Sequence, residues 1–131
     1  MRYMMLIYTA QGELTAEDRA RLMEGHSKVM SDARQKGILQ GAEPLAPVAT
    51  ATTVRVHEGR RLVTDGPFAE TKEHLAGYYI LDCQNLDEAI EWAARIPTRC
   101  RGGDGCIEIR PLPGLPRTEY AEVEEVGSKT A

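Results

Sequence analysis

Apolar positions along the chain fall into two spacings. Residues 2–8 form a short apolar and aromatic run that suits a first strand, and Gln11-Gly12 breaks it. From about residue 16 to 36 the spacing changes. Leu22, His26, Val29, Met30 and Ala33 recur at i, i+4, i+7, i+8 and i+11, which predicts one helical stripe. Thr15 suits the N-cap, Glu17 and Asp18 place negative charge in the first turn, and Gly37 suits the left-handed residue that ends the helix. Ile38-Leu39 opens an extended segment interrupted by Pro44 and Pro47. Residues 51–57 are β-branched and alternating, Glu58-Gly59 is a turn, and residues 61–64 return as the partner strand. Asp65-Gly66-Pro67-Phe68 stops that ladder, since proline has no N–H to donate.

Residues 76–83 carry the strongest strand pattern of the chain. Asn85, with Glu88 three residues on, predicts a capping box for a second helix whose apolar face is Leu86, Ala89, Ile90 and Ala93. Pro97 ends it, a glycine-rich loop follows at 101–105, and residues 106–110 alternate as a last strand. Pro111, Pro113 and Pro116 then stop regular structure, and an acidic tail closes the chain. Tyr120, Val123 and Val126 are the apolar positions of that tail.

The order β-α-β, a β-β hairpin, then β-α-β predicts an α+β, ferredoxin-like βαββαβ subunit with an added hairpin. Two helices can cover one face of an antiparallel sheet. Yet the strands at 2–8 and 76–83 are apolar on both sides: Tyr78 and Ile80 point one way, Tyr79, Leu81 and Cys83 the other. A face left uncovered and apolar marks an interface, so a homodimer with sheets packed face to face is expected. A pocket then lies between sheet and helices or at the subunit seam. The alternative is a monomer whose C-terminal tail covers that face.

Composition narrows the class without naming a chemistry. At 131 residues the chain fits one domain, with 42% hydrophobic and 27% charged residues. Sixteen basic against twenty acidic residues leave a charge of -4, which argues against direct nucleic-acid or anionic-membrane binding. No apolar run reaches the ~18 residues of a membrane span, and the N-terminal run lacks a signal-peptide cleavage site. Three cysteines that cannot all pair fit a reduced, cytoplasmic protein.

Candidate chemistry concentrates at residues 63–73. Four charged groups, a glycine and a proline surround the single phenylalanine of the chain. Such a rigid turn can aim backbone N–H groups and carboxylates at a ligand, which makes Asp65, Gly66, Pro67, Phe68, Glu70 and Lys72 candidate ligand-binding residues. The competing structural reading has Asp65 bonding nearby N–H groups and Phe68 plugging the core. His74 reads as a solvated residue at the start of a strand, and His57 as exposed. Glu43 is a candidate for the pocket mouth; Tyr8, Tyr78 and Tyr79 read as wall and core residues. Cys100 and Cys106, six apart, lack zinc-site spacing, and the 101–105 loop lacks a phosphate-cradling pattern. No nucleophile elbow is present. No metal or other cofactor is expected.

Thr-Asp-Gly-Pro-Phe-Ala-Glu-Thr-Lys-Glu at 64–73, followed by Leu-Ala-Gly-Tyr-Tyr at 75–79 and Asn-Leu-Asp-Glu-Ala at 85–89, resembles the DGPF branch of the YCII-related domain family. Residues 51–55 and 107–111 add to the likeness, which spans residues 1–113 and leaves 114–131 as an acidic extension. The resemblance implies a dimeric α+β barrel. Relatives of that barrel include muconolactone isomerases and chloromuconolactone dehalogenases, and DGPF proteins are often linked to extracytoplasmic-function sigma factors. The wider family's histidine on the first helix, thought to work with an aspartate, carries over to His26, with Asp65 as its partner. Two functions follow. One is a dimer that binds a small organic ligand or serves regulation, in a sigma-factor circuit for instance. The other is a small isomerase, lyase or dehalogenase-like enzyme with His26 as base, Asp65 as its orienter, and Glu70 and Lys72 at the mouth. The first is preferred, because no complete catalytic constellation is visible.

Overall fold

The computed structural model describes residues 1–10, 12, 14–98 and 105–114. Cys100, the glycine-rich loop at 101–104, the Gln11 break and the acidic tail with Tyr120, Val123 and Val126 lie outside the described residues. The elements are β1 (Arg2–Ala10), α1 (Ala16–Gln35), β2 (Leu39–Pro44), a single 3-10 turn (Val48–Thr50), β3 (Thr52–His57), β4 (Arg60–Asp65), β5 (Glu73–Asp82), α2 (Leu86–Arg95) and β6 (Gly105–Leu112).

Four strands form one antiparallel sheet in the order β2-β5-β1-β6, and β3-β4 form a separate two-stranded sheet. This is the ferredoxin-like α+β order with an added hairpin. The two strongest apolar strands sit in the middle, where each is paired on both edges. Pleating sends Tyr3, Met5, Ile7, Tyr79 and Leu81 to one side, and these five are all buried. Against them pack Val29 and Ala33 of α1 and Ala89, Trp92 and Ala93 of α2. Met4, Leu6, Tyr78 and Ile80 point to the other side and stay half-exposed.

Local chemistry explains the helix limits. Thr15 Oγ1 accepts from the Asp18 N–H at 3.0 Å and the Asp18 carboxylate accepts from the Thr15 N–H at 3.2 Å, a reciprocal cap on α1. At the other end Gly37 adopts φ +75°, and Ile38 N–H and Gly37 N–H donate to the carbonyls of Ala33 and Arg34. Asn85 caps α2 by accepting from the Glu88 N–H at 2.9 Å, while the Glu88 carboxylate accepts from the Gln84 N–H rather than from Asn85. The Arg95 guanidinium donates to Asp32 and lies 4.7 Å over the Trp92 ring, tying α2 to α1.

Four expectations are corrected. β6 runs through Pro111, because it is an edge strand and proline there costs no inter-strand bond on its free side. The inward face of α2 is Ala89, Trp92 and Ala93, followed by Ile96; Leu86 and Ile90 are each 50% exposed. Burying the large indole decides that rotation over two aliphatic side chains. Phe68 does not plug the core, being 78% exposed. His74 is half-buried rather than solvated, and its Nε2 is buried with no hydrogen-bond partner among the described residues.

The sheet carries an irregularity next to the helix side. Ile7 pairs with Gly77 and Tyr8 with Leu75, so Ala76 is an extra residue on β5. Gly77 lies so close to β2 that a Cβ there would stand 2.8 Å from the Glu43 carbonyl oxygen.

Candidate functional site

The inward stripe of α1 does not close fully onto the sheet. Val29 and Ala33 are buried at its C-terminal half, whereas Leu22, His26 and Met30 are only half-buried. The gap between this half of α1 and the strands is a cavity of about 480 Å³. Its walls are mostly apolar, with Ile7 and Tyr79 of the sheet, Leu22 and Met30 of α1, and Ala42 of β2 among them. Size and lining are those of a small-molecule site. Pro97 and Thr98, just past α2, close one side. Gly25 permits this, since a Cβ there would approach the Pro97 ring at 3.0 Å. His26, one residue on, is thereby set into the cavity wall.

His26 meets a polar partner inside the cavity. Its Nδ1 lies 2.6 Å from the Tyr79 hydroxyl, and the two rings are tilted at 54° with centroids 5.8 Å apart. Burial holds the His26 imidazole below its ordinary pKa of 6.5, so the ring is neutral at neutral pH. Burial likewise pushes the Tyr79 phenol up to about 12, so it keeps its proton. The pair is therefore uncharged, with imidazole and phenol linked by a short hydrogen bond. Thr9, Ser27 and Thr98 add hydroxyl groups to the lining.

The other expected residues stand elsewhere. Asp65 ends β4 and is exposed, and Gly66 and Pro67 follow it, half-exposed. The Gly66 N–H donates to the Ala51 carbonyl at 2.7 Å and its carbonyl accepts from Thr53 Oγ1 at 2.8 Å. These bonds tie the turn to its own hairpin. None of Asp65, Gly66, Pro67, Phe68, Glu70 and Lys72 lines the His26 cavity. Glu70 and Lys72 line a shallow, open hollow beside it, and Ala10 borders both. The structure thus brings His26 to Tyr79 and leaves Asp65 on the hairpin. His57 is exposed and 3.8 Å from Glu58. Glu43 does border the cavity. Tyr8 donates to Glu108 at 3.1 Å, away from His26, and Cys106 is a free thiol.

Tyr79 is a wall and core residue as expected, and what sequence reasoning missed is its bond to His26. The usable signal was its place on the same side of β5 as Leu81, facing the stripe that holds His26.

No helix among the described residues is long and apolar enough to cross a membrane. Compared with known proteins, the chain is 37% identical over 115 residues to a protein of Rhizobium meliloti (strain 1021) described as uncharacterized, covering 86% of this chain and 92% of that one. A family model for the YCII-related domain matches residues 1–113.

Proposed function

Taking as premise that the chain belongs to the YCII-related domain family, we propose that it is a homodimer that binds a small organic molecule between α1 and the sheet. The apolar cavity with the His26–Tyr79 pair in its wall carries this reading. A cavity of this volume with few, convergent polar groups is the usual form of a ligand site. The dimer is supported by two further surfaces. Among the described residues no helix lies over the sheet face with Met4, Leu6, Tyr78 and Ile80. The β3-β4 hairpin holds Val54, Val56, Leu62 and Val63 at 53–72% exposure, and an isolated hairpin is marginal without something to pack on.

Sedimentation at micromolar protein and an amide NMR screen with small carbonyl and aromatic compounds test both parts. The reading expects a dimer and shifts clustered at Ala42, Gly77 and His26. A stable monomer removes the dimer, and an unresponsive cavity removes the ligand.

A second reading, an acid–base enzyme, is favoured by His26 lying in the cavity. Its orienting group would be Tyr79 in place of Asp65.

A further inference from the structure

We propose that Tyr79 fixes His26 as a neutral donor whose Nε2–H faces the cavity, and that the ligand is a neutral, largely apolar molecule accepting that bond through a carbonyl oxygen. The inference deepens the small-molecule reading above and rests on it.

His26 Nδ1 and the Tyr79 hydroxyl are 2.6 Å apart. In a neutral imidazole one nitrogen donates and the other accepts. An imidazole lone pair is a much stronger acceptor than a phenol oxygen, and a phenol O–H is a good donor. The bond therefore runs from the Tyr79 O–H to Nδ1, and the ring proton sits on Nε2. Both groups keep these protonation states at neutral pH, because burial disfavours imidazolium and phenolate alike. Among the described residues Nε2 has no hydrogen-bond partner, and it is not shut off from solvent. Since His26 lines the cavity, that is the nitrogen it offers there.

The rest of the wall sets the charge of the occupant. Among the described residues the lining includes no lysine or arginine. Its single acidic residue, Glu43, pairs with Tyr78, whose side chain is on the opposite face of the sheet. A buried carboxylate would find no counter-charge, only neutral donors, and desolvating it would be costly. A carbonyl oxygen asks for a donor and no charge. Tyr79 is thus a positioning residue: it sets which nitrogen of His26 meets the ligand.

Two-bond 1H–15N spectra of histidine-labelled protein at pH 7.5 read the tautomer directly. The expected result is Nε2–H with Nδ1 bare, and a Nδ1–H ring overturns the inference. In Tyr79→Phe the preference for that tautomer should weaken. Acetophenone, toluene and benzoate then serve as matched probes, titrated while the His26 ring and the Ala42 and Gly77 amides are followed. Acetophenone should bind roughly two- to tenfold more tightly than toluene, as one net hydrogen bond allows, and benzoate should bind most weakly. Binding with benzoate first overturns the inference alone. If none of the three moves the cavity residues, the small-molecule reading falls and takes the inference with it.

Discussion

Gly77→Ala is expected to push the edge strand β2 off the sheet. The new Cβ would stand 2.8 Å from the Glu43 carbonyl oxygen and 3.2 Å from the Pro44 Cα, where ordinary contact begins at 3.4 Å. Both obstacles are backbone, so no side-chain rotation relieves them. β2 must retreat by about half an ångström, stretching the adjacent Leu45 N–H to Ala76 carbonyl bond of 2.8 Å. Overpacking of this kind costs about 1–3 kcal/mol. Removing a glycine from the unfolded chain returns about 0.4–1 kcal/mol. The net expectation is a loss of roughly 1–2 kcal/mol. Urea unfolding with an unchanged slope measures it. Gly25→Ala is the control: its Cβ would meet only the Pro97 ring, at 3.0 Å, and gains about 1 kcal/mol of helix propensity. Because Ala42 and Pro44 line the cavity, Gly77→Ala should also weaken acetophenone binding. If Gly77→Ala unfolds within 0.5 kcal/mol of the parent, or is tolerated as well as Gly25→Ala, the close approach of β2 is not the constraint described.

Two further outcomes follow from contacts described above. Burial lowers the His26 pKa in the folded protein below its free value of 6.5. The unfolded chain therefore takes up the proton first as pH falls below that value, and the fold loses stability from there down to the lowered pKa, with no effect above. Urea midpoints at pH 7.5 and 5.5 should fall further for the parent than for His26→Gln; equal falls would contradict the buried, neutral imidazole. For the α1–α2 tie, Asp32→Asn should cost less than about 1 kcal/mol, since both partners are over a third exposed. Arg95→Ala should cost more than Asp32→Asn, because its guanidinium also covers Trp92; thermal unfolding of the two variants gives the order.

Element identity was legible because each element repeats its own period. β1, α1 and β5 each span many residues, and their alternations survive local noise. The rotation of α2 was not legible, because counting aliphatic positions omits the size of Trp92. The β6 limit was missed because a proline's meaning depends on whether its strand is at an edge, which only the sheet order reveals. His26 was legible as part of an inward stripe. Its partner was not: Tyr79 is 53 residues away, and alternation tells which side a residue faces without telling what it meets. The dense motif at 64–73 misled in a related way. Charge and turn chemistry mark a rigid segment, but nothing in its spelling says that β3 and β4 form their own sheet, apart from the cavity.

The extra residue Ala76 sets the phase of everything before it on β5. With it in place, His74 is opposite Thr9, a cavity residue, and Glu73 is opposite Ala10. Were the bulge ironed out, with Ala76 taking the place opposite Tyr8, the pleat before it would shift by half a cycle, turning Leu75 toward Thr9 and His74 toward Ala10. Residues 73–75 would trade sides with no change in their order. The imidazole would leave the helix-covered layer, and an aliphatic side chain would take its place.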